Sequence, residues 1–237
     1  MKKTISLILI LAIWGGLAAF AWVKAPAEVS DAERRPLEQF PAVSGESLLS
    51  GQFMKDFADY AVDQFPLRDG FRTLNAYLTY YLLGQKDNNG IYLSDGYAAK
   101  MDYPLDEGSV SNALTRFMEL HELYLRDSKV HFALVPDKSY YLAEDAGVLA
   151  MDYDALYTQM AESLSWAEFI DLREYLTIAD YYRTDTHWRQ ERLVPAAQAI
   201  AEKLGVTVPE FREMAIDRPF YGVYYGQAAL PMEPDAM

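Results

Sequence analysis

A chain of 237 residues that is 51% hydrophobic is long enough, and apolar enough, to close a packed core rather than stay disordered. Its 35 acidic residues against 21 Lys and Arg leave a formal charge of −14, a surface that repels phosphate backbones and so excludes nucleic acid and densely anionic substrates as natural partners. The lack of cysteine removes disulfides, thiolate metal ligands and a thiol nucleophile.

Lys2-Lys3 precede an uncharged stretch from position 4 to 23, the length that crosses a bilayer. Two readings fit residues 1–24: an uncleaved signal anchor, or a signal peptide cut at a small-x-small site such as Ala19-Phe20-Ala21 or Ala25-Pro26-Ala27. Both keep the two lysines cytoplasmic and put the rest of the chain on the extracytoplasmic side. Residues 25–46, with Pro26, Pro36 and Pro41 among alternating charges, read as an extended linker, and 47–237 as one domain.

Within that domain the spacing of Leu49, Phe53, Phe57 and Ala61 predicts a helix over 47–65, closed by Pro66. A second helix follows over 71–83 and stops at Gly84. Asp87-Asn88-Asn89-Gly90 is a turn, and 91–93 with 97–101 around Asp95-Gly96 form a hairpin. An amphipathic helix covers 110–125. The apolar run 130–135, closed by Pro136, predicts a strand buried on both faces of a parallel sheet, and 169–172 predicts a second. Helices are expected at 154–166 and 188–204, the latter kinked or delayed by Pro195, with a further short strand at 214–216. This alternation of strand and helix implies an α/β sheet layered with helices.

The chemistry concentrates in Tyr181-Tyr182-Arg183-Thr184-Asp185-Thr186-His187-Trp188. A neutral imidazole takes a proton from a hydroxyl only if its other nitrogen stays protonated, and a buried carboxylate secures that tautomer. Asp185 and His187 on one tight loop supply both groups; the alternative is a polar loop with a helix-capping Asp. Lys138 and Ser139 follow a strand end, where open α/β sheets bind ligands, so Lys138 is a candidate to hold a substrate hydroxyl or carboxylate. Ser139, flanked by Tyr140-Tyr141, is a poor nucleophile candidate. Arg183 is a candidate for a substrate contact or an ion pair, and Trp188 for sugar stacking or core packing. His121 reads as a surface residue and His131 as a core one. Three scattered histidines without cysteine give no metal site, and no phosphate or dinucleotide fingerprint is present, so no cofactor is expected. Tyr221, Tyr224 and Tyr225 suit either a glycan groove or ordinary packing.

The segment from Tyr182 to Trp188 resembles the signature of the DHHW proteins, relatives of the alginate O-acetylation proteins within the wider SGNH hydrolase-like group, with Thr186 where the first His of the name usually stands. Glu33-Arg34-Arg35-Pro36-Leu37, Phe40-Pro41, Phe53 to Phe57, Asp63 to Arg68, Val135 to Ser139 and Phe220-Tyr221-Gly222 are similar to the same family, so the resemblance spans about residues 30–230. It implies an SGNH-like three-layer α/β/α sandwich with a mostly parallel sheet, acting in O-acetylation of a surface or secreted polysaccharide. A membrane-bound O-acyltransferase would bring the acetyl groups. His187 would be the general base and Asp185 its orienting partner, with the nucleophilic Ser downstream of the pair. No Ser or Cys follows His187. The expectation is therefore a domain incomplete at its C-terminus, its serine beyond residue 237, and no triad-dependent hydrolysis by these 237 residues alone. The competing expectation is a non-catalytic glycan-binding or scaffolding member of a polysaccharide modification or export complex.

Overall fold

The computed structural model describes residues 2–210, 216, 218–230 and 232–236. Helix α1 (Lys2–Val23) has a mean hydropathy of 2.2 over its apolar window and buries none of it against the rest of the chain, so it is long and apolar enough to be a membrane anchor or a signal sequence. The expected free linker is instead tied down. Strands β1 (Val29–Ser30) and β2 (Arg35–Pro36) pair antiparallel, and the Gln64 side chain brackets Ala27, accepting from its N–H at 2.9 Å and donating to its carbonyl at 2.8 Å. Some of the charges that suggest a solvated tether, Glu33 and Arg35 among them, are ion-pair partners. Arg35 forks onto Asp63 at 2.8 and 2.5 Å, while Arg68 and Arg72 reach Glu33 at 2.6 and 3.2 Å.

The first predicted helix is two: α2 (Gly45–Leu49), boxed by Ser44 and Ser47, and α3 (Gln52–Asp63). Gly51, at φ 79°, breaks them, a conformation glycine adopts without steric cost. Phe53, Phe57 and Tyr60 of α3 gather around Phe40, with ring centroids 5.4–6.3 Å away. Helix α4 (Arg68–Tyr77) runs into a single π-helical turn over Leu78–Leu82, close to the span expected from sequence.

The hairpin forms as read, extended to three antiparallel strands: β3 (Asp87–Asn88), β4 (Ile91–Ser94) and β5 (Tyr97–Lys100). Asp95 and Gly96, at φ 49° and 79°, make the tight turn between β4 and β5, the pair of left-handed residues a two-residue hairpin loop favours. Helix α5 (Glu107–Leu120) is capped by Asp106. Strand β6 (His131–Leu134) then pairs parallel, through two helices, with β7 (Glu168–Asp171), in the register Phe132 to Phe169 and Ala133 to Ile170. The intervening helices are α6 (Lys138–Ala146), which the sequence reading missed, and α7 (Tyr153–Ser163). Helix α8 (Val194–Leu204) starts late because Pro195 occupies its first turn, where a missing N–H costs nothing. Strand β8 (Pro219–Phe220), the short helix α9 (Val223–Gln227) and strand β9 (Asp235–Ala236) complete the elements, with β8 antiparallel to β9.

The fold is therefore mixed helix and sheet. Its sheet is not mostly parallel among the described residues: β6 and β7 form the parallel pair, the other strand pairings are antiparallel, and β6 is half-buried rather than sealed on both faces. Residues 214 and 215 of the expected strand at 214–216 lie outside the described residues.

Three apolar clusters converge beneath the Asp-x-His loop. Ile91 and Ala98 of the hairpin pack with Tyr224, Ala228 and Leu230; Tyr92 and Ala99, on the opposite face, pack with Leu142 of α6; Ile170, Leu172, Leu176 and Ala196 pack with Trp188. Each large apolar side chain fully buried here, Ile91 and Leu172 among them, contributes roughly 1.5–3 kcal/mol. The central hairpin is thus clamped by α6 on one face and α9 on the other, and the loop rests on that rigid base.

Candidate active site

The loop from Tyr181 to Arg189 is a closed hairpin-like excursion. Tyr181 and Trp188 bridge antiparallel, the Tyr182 N–H donates to the His187 carbonyl at 3.1 Å, and the Arg189 N–H donates to the Asp180 carbonyl at 2.7 Å. The chain therefore turns between Asp185 and His187, as a two-residue spacing requires if both side chains are to meet.

They do meet. Asp185 Oδ1 stands 2.6 Å from His187 Nδ1 and also accepts the His187 backbone N–H at 3.0 Å, while Oδ2 accepts the Val223 N–H at 2.7 Å. Asp185 is buried, at 1% exposure, and the His187 side chain is 75% exposed. Burial works to raise the Asp185 carboxyl, but the Val223 and His187 amides and the imidazole outweigh it and hold the group below the ordinary carboxylate range. An ionised carboxylate is acceptor-only, so Nδ1 is the donor, and in the neutral imidazole the lone pair lies on Nε2. Among the described residues Nε2 has no hydrogen-bond partner.

The loop backbone is pinned from several directions. The Thr184 carbonyl accepts from Tyr224 and Tyr225 N–H at 3.0 and 3.2 Å, and the Arg183 carbonyl accepts from Ala98 N–H at 2.8 Å, tying the loop to α9 and β5. Gly222 donates to Thr184 Oγ1 at 2.9 Å. Asp235 takes the N–H groups of Arg183 and Thr184 at 2.7 and 2.9 Å and the Thr184 hydroxyl at 2.6 Å.

Lys138 is not where a substrate contact needs it. It begins α6 behind the Asp137 cap, is 2% exposed, and donates all three ammonium protons to backbone carbonyls of the loop: Tyr182 at 2.8 Å, Arg183 at 3.0 Å and Asp185 at 2.9 Å. Burial drives its pKa down to about 7, against the pull of Asp235 and Asp185. Ser139 is equally buried, its hydroxyl bonded to the Lys100 carbonyl and 3.0 Å from the Tyr92 hydroxyl, far from the role of a nucleophile. Arg183 projects into solvent with no side-chain partner among the described residues, so it remains available to a ligand. Trp188 is half-buried on the Ile170 cluster, a packing position. His121 stacks on Trp166 at 4.0 Å, and His131 lies inside β6 with its Nδ1 unpartnered, 3.8 Å from Glu168. No group of His, Asp and Glu suited to a metal occurs among the described residues.

Sequence reasoning missed three contributors. Arg34 donates to the Tyr221 carbonyl, lies over the Phe220 ring at 5.3 Å, and brings Nη1 to 3.9 Å from Asp185 Oδ2. Gly222 and Asp235 are the other two. The available signal was Phe220-Tyr221-Gly222, a glycine directly after two aromatics, whereas Asp235 carries no local pattern. Tyr224 is buried in the core, while Tyr221 is exposed and tilted on Tyr225 at 4.8 Å.

No family model matches the chain, and no curated protein matches it. Among solved structures, a DHHW family protein from Eubacterium siraeum is similar at 23% sequence identity, over 64% of this chain and 54% of that one, with a TM-score of 0.46. The chain thus spans about half the length of that structure.

Proposed function

We propose that this chain carries the base half of a Ser-His-Asp acyl-transfer site in an extracytoplasmic, SGNH-like three-layer protein of the DHHW family, working as an O-acetyltransferase or esterase on a surface or secreted polysaccharide. The observation that supports it is the buried, ionised Asp185 held 2.6 Å from Nδ1 of an exposed His187, which leaves Nε2 basic and open.

On this reading the acyl-carrying serine approaches Nε2 from outside the described residues. Nε2 takes the hydroxyl proton as the serine oxygen attacks the acyl carbonyl, and returns it to the departing donor oxygen as the tetrahedral adduct collapses. In the second half Nε2 deprotonates a sugar hydroxyl, or water, which attacks the acyl-serine; the proton ends on the serine. Asp185 holds the tautomer and stabilises the imidazolium throughout. Arg183, in the loop, and Tyr221 are both exposed, and we assign them to contact with the acceptor. A membrane-bound O-acyltransferase supplies acetyl groups, and α1 keeps the protein near it.

The test is acetyl transfer from p-nitrophenyl acetate to an oligosaccharide acceptor by the intact protein, meaning these residues together with the serine-bearing segment that the reading requires. Turnover that falls roughly 10²–10⁴-fold in His187→Ala supports the reading. Turnover indifferent to His187→Ala, or none from the intact wild-type protein, defeats it.

A further inference from the structure

Successive peptide units that turn their carbonyls toward one point leave N–H groups facing the other way. In the loop part of the backbone separates this way, although the Thr184 carbonyl turns instead to the Tyr224 and Tyr225 amides. The carbonyls of Tyr182, Arg183 and Asp185 converge on Lys138 Nζ within 2.8–3.0 Å, and the N–H groups of Arg183 and Thr184 converge on the Asp235 carboxylate within 2.7–2.9 Å. We propose that Lys138 and Asp235 are paired positioning residues, a clamp of opposite charges that grips the loop backbone from its carbonyl side and its amide side and thereby fixes the Asp185–His187 pair.

The chemistry of each group suits the task. An ammonium has three donors, and here each meets one carbonyl, with the Tyr97 and Tyr224 rings 5.6 and 5.3 Å away adding attraction from their faces. An arginine fork, planar and wider, does not converge three acceptors on one atom. Asp235 offers both oxygens, one to the Arg183 N–H and the other to the Thr184 N–H and hydroxyl. No direct ion pair joins the two among the described residues, so their attraction acts across the peptide units between them. Both are buried, and a buried charge left without its counter-charge costs several kcal/mol. The clamp thus sets a cation on the carbonyl side of the loop and an anion on its amide side, each matched to the dipoles it faces. Its significance rests on the reading of Asp185–His187 as the functional pair, but its test does not use activity.

In the full chain, Lys138→Met and Asp235→Asn are compared singly and together by amide hydrogen exchange at His187 and Val223, whose N–H groups bond Asp185, and by the imidazole Nδ1 proton resonance of His187. The expectation is that each single variant accelerates exchange at both amides at least about tenfold and loses the Nδ1 signal, while amides within α5 keep their protection. The double variant is no worse than the worse single, because neither Lys138 nor Asp235 is then left charged without the other. Unchanged protection in either single, or losses that simply add in the double, overturns the clamp. Should Lys138→Met not fold, Lys138→Ala refolded with ethylammonium takes its place: recovered protection at His187 supports the proposal, and no recovery overturns it. A chain with an intact clamp but no acyl transfer would fail the functional reading alone, and the reverse result would fail the clamp alone.

Discussion

Gly222 lies so close under Thr184 that a methyl group on it would sit 2.2 Å from the Thr184 carbonyl oxygen and 2.4 Å from the Asp185 amide nitrogen. The obstacle is backbone, which cannot swing aside as a side chain can. This approach is what lets the next residue, Val223, reach Asp185 Oδ2 with its N–H at 2.7 Å. Gly222→Ala is expected to push the two segments apart, to cost about 1–3 kcal/mol in urea unfolding, and to break the Val223 bond to Asp185. Unchanged stability together with retained exchange protection at Val223 would refute this account.

If the pair works as proposed, Asp185→Asn leaves the loop largely built but removes the charge that fixes the imidazole tautomer. The expected outcome is a fall in kcat of roughly 10⁴-fold in the acetyl-transfer assay with KM little changed. A loss confined to KM would assign Asp185 to substrate binding instead.

Asp63 ties α3 to the segment before it. Hydrogen bonds from Arg35, outweighing burial and joined by the Glu38 amide, lower its pKa from 3.8 to about 2. A carboxyl depressed in the folded state contributes stability that is fully present above its unfolded value and is lost as pH falls through the folded one. Because the Arg35 side chain is 40% exposed, we discount the shift to about 1–2 kcal/mol. Urea midpoints should drop between about pH 4 and pH 2, and Asp63→Asn should flatten that part of the profile.

Gly226 packs against the turn between β1 and β2, where an added methyl would stand 1.6 Å from the Ala32 carbonyl oxygen. Gly226→Ala should therefore lift that turn and free Arg34 from the Tyr221 carbonyl. Trypsin should then cut after Arg34 at least about tenfold faster than in the wild type, with the core intact by circular dichroism. An unaltered cleavage rate would show that the turn is held by other contacts.

Much of the local structure was legible because its causes are local. Asp95-Gly96 is a turn that two left-handed residues allow, Pro195 either kinks a helix or sits in its first turn, and the 3.6-residue stripe of α5 needs one apolar face. The Asp185-x-His187 spacing likewise foretold that the two side chains meet, since two residues on one turn can do so without help from elsewhere. Helix α6 escaped notice because its first turn, Lys138-Ser139-Tyr140, carries the polarity of a solvated loop. Burying that turn takes acceptors for the ammonium, and those lie 44–47 residues away.

The sequence by itself therefore determined an apolar N-terminal helix, the hairpin, the parallel pair of strands with its connecting helix α7, and a carboxylate and an imidazole close enough to hydrogen-bond. Only the tertiary structure decided what those groups rest on. It turned Lys138 from a supposed substrate contact into a buried support, brought Asp235 to the loop across 51–52 residues and Gly222 across 38, and packed residues 27–38 where a free tether was expected. The reason is physical: periodicity and turn chemistry report forces between neighbours, whereas matching a buried donor to a distant acceptor depends on where the folded backbone brings its unpaired carbonyls and amides.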